Sequence, residues 1–284
     1  MTDLDAAYAE CARLARAHYE NFPLGSWLLP RRLRRDLAAV YAFARIGDDL
    51  ADEGPPEGRV ERLAAYEAQL LAAAADPTAV RDPVFRALGH TMAAHRLPLE
   101  PFRDLLTAFR RDAAGETRTL AAWDDVLEYC RCSANPVGRI VLGLFGHHDA
   151  ERQARSDDIC TALQLTNFWQ DVANDLERGR VYLPQEDLDR FPGSRDALAA
   201  RRPTPAFRAL MAVEVARARG LFARGLGLAD LVPGRLRREV RLFAGGGMAI
   251  LARIEAADYD VFARRPTLGR VALARLVLRA VLAG

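Results

Sequence analysis

The chain has 284 residues, of which 50% are hydrophobic and 27% are charged, and this composition excludes a chain that is mainly disordered. Forty basic residues stand against 38 acidic ones, and the formal charge of +2 argues against nucleic-acid binding through bulk charge. All forty basic residues are arginine, which excludes a catalytic lysine, a Schiff base and a P-loop.

The cysteines and the N-terminal residues bear on where the protein resides. The four cysteines lack the CxxC spacing of a zinc site, and four in a chain of this length do not make a disulfide scaffold. The N-terminal residues are acidic and amphipathic and lack the apolar stretch of a signal peptide, and no run of about 18 apolar residues predicts a membrane span. We therefore expect a cytoplasmic protein.

Helical periodicity runs along almost the whole chain, and the helix formers Ala, Leu, Arg and Glu dominate it. Proline and glycine divide this pattern into ten predicted helices, at 3–19, 31–52, 57–75, 82–95, 99–114, 122–145, 151–177, 204–228, 234–262 and 267–282. Three consecutive glycines, at 245–247, fall inside one of them and predict a close helix approach or a kink. No biased linker separates the helices, so the sequence predicts one all-α domain over residues 1–284.

The second predicted helix carries a polar stripe that ends in two carboxylates. Tyr41, Arg45, Asp48 and Asp52 are separated by four, three and four residues, which places their side chains on one face of the helix. Asp48 and Asp52 are therefore neighbours, one turn apart.

A second stripe of the same kind lies in the predicted helix 151–177. Gln164, Asn167, Asp171 and Asp175 are separated by three, four and four residues, so this stripe also ends in an Asp-x-x-x-Asp pair. Both stripes therefore place hydrogen-bonding groups one or two turns ahead of two adjacent carboxylates.

Each stripe alone is more simply explained as a solvated helix face. Like charges at i and i+4 repel each other on a solvent-exposed helix, however, which argues against that explanation. The shared composition of the two stripes also favours a functional site. Carboxylate oxygens suit Mg²⁺, which completes its coordination with water and phosphate oxygens. Arg45, Arg178 and Arg180 lie close enough in sequence to supply charge-assisted hydrogen bonds to a diphosphate.

These motifs resemble the squalene/phytoene synthase family, and the resemblance covers nearly the whole chain. Asp48-Asp49-Leu-Ala-Asp52 is similar to the first aspartate-rich motif of that family. The run from Asp171 to Pro184 is similar to the second motif with its Arg-x-Tyr-x-Pro tail, and the segment 259–266 fits the C-terminal pattern.

The resemblance implies an isoprenoid synthase fold, in which helices surround a central active-site cavity. It implies that four aspartates hold several Mg²⁺ ions and the substrate diphosphate, namely Asp48, Asp52, Asp171 and Asp175, and that Tyr41 and Arg45 act with them in catalysis. The substrate-binding residues that it implies are His18, Phe22, Tyr41, Arg45, Gln164, Asn167, Arg180, Tyr182 and Arg265. Aromatic faces stabilise carbocations, and the candidates for this role are Phe22, Phe43, Phe168 and Trp169.

Two departures from the family pattern narrow the subfamily. Many members have Glu before the last aspartate of the second motif and Arg before its first aspartate, where this chain has Asn174 and Gln170. The segments 18–30 and 179–188 resemble the HpnC-type branch of bacterial hopanoid pathways. That resemblance implies a hydroxysqualene synthase, which converts presqualene diphosphate and water to hydroxysqualene and diphosphate, and it implies no use of NADPH.

Two alternative functions stay open. An enzyme of the same fold condenses two farnesyl diphosphates to presqualene diphosphate or squalene, or makes phytoene, and the product distinguishes these reactions. A non-catalytic lipid-binding or assembly protein on the same fold is an alternative of another class. All four key positions are acidic here, which argues against it, because a degenerate member should have lost its aspartates.

The expected partner is a small-molecule prenyl diphosphate, and we expect no nucleic acid. The basic run at 29–35 is most simply a solvated helix start, and a contact with anionic lipid is the alternative. The amphipathic segment 270–283 is most simply packed on the domain. A surface-lying helix, peripheral at the inner membrane, that helps the product to leave is the alternative. Partner enzymes of the same pathway also stay open.

Overall fold

The computed structural model describes residues 2–17 and 31–282, and apart from one isolated bridge between Thr119 and Val181 these residues form no β-structure. The described residues form fifteen helices: α1 Asp3–Ala17, α2 Arg31–Asp52, α3 Arg59–Ala75, α4 Pro83–His95, α5 Glu100–Ala114, α6 Trp123–Ser133, α7 Asn135–Leu144, α8 Ala150–Gln170, α9 Val172–Glu177, α10 Gln185–Arg190, α11 Ser194–Ala200, α12 Pro205–Gly225, α13 Leu228–Leu231, α14 Gly234–Ala256 and α15 Arg270–Leu282. The predicted all-α fold class is confirmed. None of the described helices combines the length and the apolar character that a membrane crossing requires.

The chain divides into two compact units. The first unit comprises Met1–Gly115 and Pro136–Asp149, and the second comprises Glu116–Asn135 and Ala150–Gly284. The chain therefore passes from one unit to the other three times. The single domain over residues 1–284 stays a prediction.

In the first unit, α2 packs against α1, α3, α4 and α5. Its Phe43 is fully buried and its ring lies 5.3 Å from Tyr66, 6.1 Å from Phe85 and 5.7 Å from Phe102, measured between ring centroids. The Tyr66 hydroxyl donates a hydrogen bond of 3.0 Å to the Phe43 carbonyl. This aromatic cluster buries one face of α2, so that the face carrying Asp48 lies at the surface of the unit.

In the second unit, α8 packs against α6, α12, α13 and α14. A Cβ atom added at Gly247 of α14 would lie 2.3 Å from Cζ of Phe222 on α12 and 3.1 Å from Cδ2 of Leu163 on α8. A Cβ atom added at Gly246 would meet nothing within 4 Å. The predicted close helix approach at the three glycines is confirmed at Gly247.

The predicted helices 122–145 and 234–262 end earlier than the periodicity indicates. The predicted helix 122–145 is two helices, α6 and α7, separated at Ala134. Pro136 lies in the first turn of α7, and its ring and missing N–H disfavour the interior of one continuous helix. The predicted helix 234–262 ends at Ala256, and the next residues include Asp258 and Tyr259 with φ of 50° and 59°. Left-handed backbone at two successive residues ends an α-helix.

Candidate functional site

The predicted polar stripe of the first unit lies together on α2. Tyr41, Arg45 and Asp48 are partly buried and Asp52 is exposed. Nη1 of Arg45 lies 3.4 Å from Oδ2 of Asp48, and the same guanidinium forms ion pairs with Asp49 and, at 3.5 Å, with Glu53. The Arg45 guanidinium therefore forms ion pairs with three carboxylates.

The carboxylates at this end of α2 outnumber the arginine that pairs with them. Partial burial raises the pKa of Asp48 to about 6, and the neighbouring carboxylate of Asp52 adds to the rise, whereas Arg45 opposes it. Burial also raises the pKa of Tyr41 above its ordinary value. A carboxyl group with a raised pKa beside a second carboxylate favours a further cation at this end of α2.

The polar stripe of the second unit spans a bend in the chain. The structure divides the predicted helix 151–177 at Asp171, which has φ of −106° and ψ of 13°. The hydrogen-bond path continues through the bend, because Asp171 N–H donates to the Asn167 carbonyl and Asp175 N–H donates to the Asp171 carbonyl, both at 2.9 Å. Asp171 and Asp175 thus remain one turn apart, as predicted.

Residues 257–269, which we call the C-terminal connector, contact this bend. Arg265 donates to both carboxylate oxygens of Asp171, with Nη2 to Oδ2 at 2.7 Å. The side-chain amide of Gln170 donates to the carbonyl of Pro266, and Nδ2 of Asn174 donates to Oδ1 of Asp171 at 2.9 Å. No glycine or proline in the sequence predicts a bend at Asp171, and these tertiary contacts explain it.

The opposite end of the connector is also fixed to the second unit. The Arg208 side chain pairs with the Asp258 carboxylate at 2.7 Å and donates to the Asp258 carbonyl at 3.0 Å. The Phe262 ring packs on Phe207 with 4.9 Å between centroids. The connector therefore holds Arg265 at the second aspartate pair.

Asp175 has an environment similar to that of Asp48. Partial burial raises the pKa of Asp175 to about 6 and the Asp171 carboxylate adds to the rise, while Arg178, Arg180 and Arg265 oppose it. Three arginines thus lie near the second pair, and they leave the Asp175 carboxyl group with a raised pKa.

Aromatic rings lie next to this pair. The Tyr182 ring stacks on Phe168 with 3.9 Å between centroids, and Tyr129 of α6 stacks on Tyr182 at 5.8 Å. Phe168, Tyr182, Asp175 and Arg180 help to line a cavity of about 10 Å³, which has room for about one water molecule. Tyr129 carries no motif signal, and sequence reasoning missed it.

The remaining predicted residues have mixed outcomes. Gln164 is partly buried on α8 and Asn167 is exposed there. His18 and Phe22 lie outside the described residues. The expectation that Phe43 lines a cavity is wrong, because its ring is enclosed in the aromatic cluster of the first unit.

The second unit also contains a buried cluster of charged residues that no sequence motif predicts. Arg217 pairs with Asp187, lies 2.9 Å from Oε1 of Glu214, and places its guanidinium 4.4 Å from the centroid of the Trp123 ring. Burial raises the pKa of Glu214 to about 8. These residues come from three separate parts of the chain, so no local motif could have revealed them.

The donor set fits Mg²⁺. Within residues 2–17 and 31–282, no three His, Cys, Asp or Glu side chains converge as a complete metal site. Each unit instead offers one pair of carboxylates, and Mg²⁺ is commonly held by one or two carboxylates with water and phosphate oxygens. Burial, and after it the neighbouring carboxylate, raises the pKa of Asp48 and of Asp175, and a bound cation would offset both effects.

Known proteins similar to this chain include two kinds of enzyme. A squalene/phytoene synthase family model matches residues 15–272. The chain is 34% identical to the hydroxysqualene synthase of Rhodopseudomonas palustris, over 84% of this chain and 80% of that protein. It is 36% identical to the phytoene synthase of Thermus thermophilus, over 95% of this chain and 91% of that protein.

A solved structure is also similar over most of the chain. The crystal structure of squalene synthase HpnC from Alicyclobacillus acidocaldarius is 46% identical, with a TM-score of 0.86 over 90% of this chain and 96% of that one. Both aspartate pairs, and the motifs on which the resemblance rests, lie within residues 15–272, which the family model matches. The chain therefore belongs to the squalene/phytoene synthase family, whose members are prenyl-transferring isoprenoid synthases that use diphosphate substrates.

Proposed function

We propose that this chain is a hydroxysqualene synthase, which converts presqualene diphosphate and water to hydroxysqualene and diphosphate. The observation that carries the proposal is the 34% identity to the hydroxysqualene synthase of Rhodopseudomonas palustris, over 84% of this chain. The 46% identity to the squalene synthase HpnC supports it, because segments 18–30 and 179–188 of this chain resemble the HpnC-type branch.

The second aspartate motif supports the same subfamily. Gln170 and Asn174 are neutral amides where many family members carry Arg and Glu. In this chain both amides donate hydrogen bonds, to Pro266 and to Asp171, and they hold the C-terminal connector and Asp171 without adding charge. We propose that this neutral pair adapts the site to ionise presqualene diphosphate.

In the proposed reaction, Arg45 and Arg180 bind the substrate diphosphate through charge-assisted hydrogen bonds. The carboxylate pairs of α2 and of the α8–α9 bend would hold Mg²⁺, which stabilises the charge that develops on the leaving diphosphate. Arg45 and Arg265 each pair with an aspartate, and we expect both to exchange these partners for the diphosphate when it binds.

The apolar part of the substrate requires a different environment. The ring faces of Phe168 and Tyr182 are suited to stabilise the carbocation that remains after diphosphate departs. This cyclopropylcarbinyl cation rearranges, a C–C bond of its three-membered ring breaks as water forms the new C–O bond, and the water loses one proton to solvent or diphosphate. Gln164 and Asn167 are the polar groups on α8 that we expect to orient the water.

Product analysis tests this proposal. The purified protein is incubated with Mg²⁺ and either farnesyl diphosphate or presqualene diphosphate, with and without NADPH, and the extracts are analysed by gas chromatography–mass spectrometry. We expect hydroxysqualene from presqualene diphosphate, without need of NADPH, and no product from farnesyl diphosphate. A run without Mg²⁺ is the control and should give no product.

A second candidate is a condensing enzyme, and the extensive similarity to a phytoene synthase favours it. This enzyme would join two prenyl diphosphates head to head and release presqualene diphosphate, squalene or phytoene. Incubation with farnesyl or geranylgeranyl diphosphate would then give one of these products, and this result would overturn the hydroxysqualene proposal while leaving the family unchanged.

A further inference from the structure

The outward face of α15 is apolar. Val271 is 68% exposed and Leu278 is 57% exposed, more than any other large apolar side chain among the described residues. Ala274 and Arg275 are exposed between them. These four positions fall within about 100° of the helix circumference, so they form one continuous strip.

The inward face of the same helix is already occupied. α15 packs along α14, where Leu276 lies 3.3 Å from the Cβ position of Gly245, and Ala280 is buried. The outward strip is therefore not the face by which α15 attaches to its own unit. Exposed apolar side chains on a helix that is already docked indicate a further binding partner.

The charge of this helix is of one sign. Residues 270–284 contain three arginines and no Asp or Glu, although the formal charge of the whole chain is only +2. Arg275 belongs to the outward strip itself and is exposed. An apolar strip accompanied by arginines, without any acidic residue, is the composition of helices that lie in the interface of anionic membranes.

We propose that α15 docks on the surface of an anionic lipid bilayer, with Val271 and Leu278 inserted among the acyl chains and Arg275 at the lipid phosphates. A second copy of this chain is a poorer partner, because two such faces would bring arginines of like charge together. The bilayer offers both the apolar layer and the negative charge that the strip requires. The binding needs no turnover, so it stands independently of the reaction proposed above.

Vesicle co-sedimentation of the full chain tests the proposal. We expect the protein to sediment with vesicles of phosphatidylglycerol and phosphatidylcholine, to bind vesicles of phosphatidylcholine alone at least tenfold more weakly, and to be released by high salt. Leu278→Glu and Arg275→Glu should each weaken binding to the anionic vesicles by about tenfold. Circular dichroism and the thermal midpoint check that each variant remains folded.

Matched substitutions at exposed sites elsewhere are the controls. Leu71→Glu and Arg81→Glu change the same residue types on exposed parts of the first unit and should leave vesicle binding unchanged. Three results would overturn the proposal: no binding of the wild type to anionic vesicles, equal loss in the control variants, or a dimer in solution that Leu278→Glu dissociates. Product analysis of the same variants shows separately whether the proposed reaction fails.

Discussion

Asp48 and Asp175 lie on different helices in similar electrostatic environments. Each is one turn from a second aspartate, each has at least one arginine nearby, and the pKa of each is raised to about 6. Two carboxylates held this close repel each other, which costs stability unless a cation binds between them. We therefore expect both residues to be needed for binding the metal and the diphosphate rather than for folding.

Removing one carboxylate from either pair should abolish turnover and leave the helices intact. We expect Asp48→Ala and Asp171→Ala to lower kcat/KM by about a thousandfold or more, because each removes a metal ligand from a charge-stabilising site. The measurement is product formation, with far-ultraviolet circular dichroism as the check on folding. Asp196→Ala, at an exposed acidic residue of α11, is the control and should behave as wild type. Turnover close to wild type in either site variant would refute the metal assignment.

The raised pKa values predict how Mg²⁺ binding responds to pH. An aspartate with a pKa of about 3.8 in the unfolded chain and about 6 in the folded protein takes up a proton on folding when the pH lies between those values. The metal-free protein should therefore lose stability from these two groups as pH rises from about 4 to about 6. Mg²⁺ requires the ionised carboxylates, so its affinity should fall as pH drops below about 6.

Thermal unfolding with and without Mg²⁺ and diphosphate measures this dependence. We expect a clear upward shift of the thermal midpoint at about pH 7.5 and little or no shift at about pH 5, because most of both carboxyl groups are then protonated. The Asp48→Ala variant is the control, and its shift should be small at both pH values. An equal shift at both pH values in the wild type would contradict the pKa assignment.

At the scale of the helix, the three glycines of α14 make a direct comparison of neighbouring sites. We expect Gly247→Ala to lower the free energy of unfolding by about 1–3 kcal/mol, because its Cβ would collide with Phe222 in a filled core. A Cβ at position 246 would meet open space, so Gly246→Ala should raise the free energy of unfolding by about 1 kcal/mol through its higher helix propensity. Urea denaturation followed by circular dichroism gives both values. Similar effects at the two positions would show that α12 and α14 do not pack as closely as described.

Helices could be predicted from the sequence wherever local chemistry determines them. Pro136 marks the division between α6 and α7, although periodicity alone predicts one helix there. The bend at Asp171 and the end of α14 before Asp258 have no such local signal. They depend on contacts such as Arg265 with Asp171, between residues far apart in sequence. The two polar stripes could be predicted because their residues recur at helical spacing within one segment of the chain. The buried Arg217 cluster could not, because its residues come from separate parts of the chain.

At the scale of the whole molecule, each compact unit contains one aspartate pair. The family resemblance implies that all four aspartates hold Mg²⁺ and the same substrate diphosphate, and this single diphosphate site stays a prediction. Such a site has a thermodynamic signature, because groups that act on the same bound ligand do not contribute independently.

Mild substitutions in both pairs test whether they form one site. Asp48→Glu and Asp171→Glu keep the charge and displace the carboxylate, so each variant should keep a measurable rate. If both pairs act on one diphosphate, the double variant should lose clearly less than the product of the two single losses, because the first displacement already disrupts the shared geometry. The measurements are kcat/KM and the Mg²⁺-dependent affinity for inorganic diphosphate by calorimetry. The double variant of Asp48→Glu with Asp196→Ala is the control, and its losses should multiply. Multiplicative losses in the test pair as well would mean that the two aspartate pairs bind separately, and a single diphosphate site would then be ruled out.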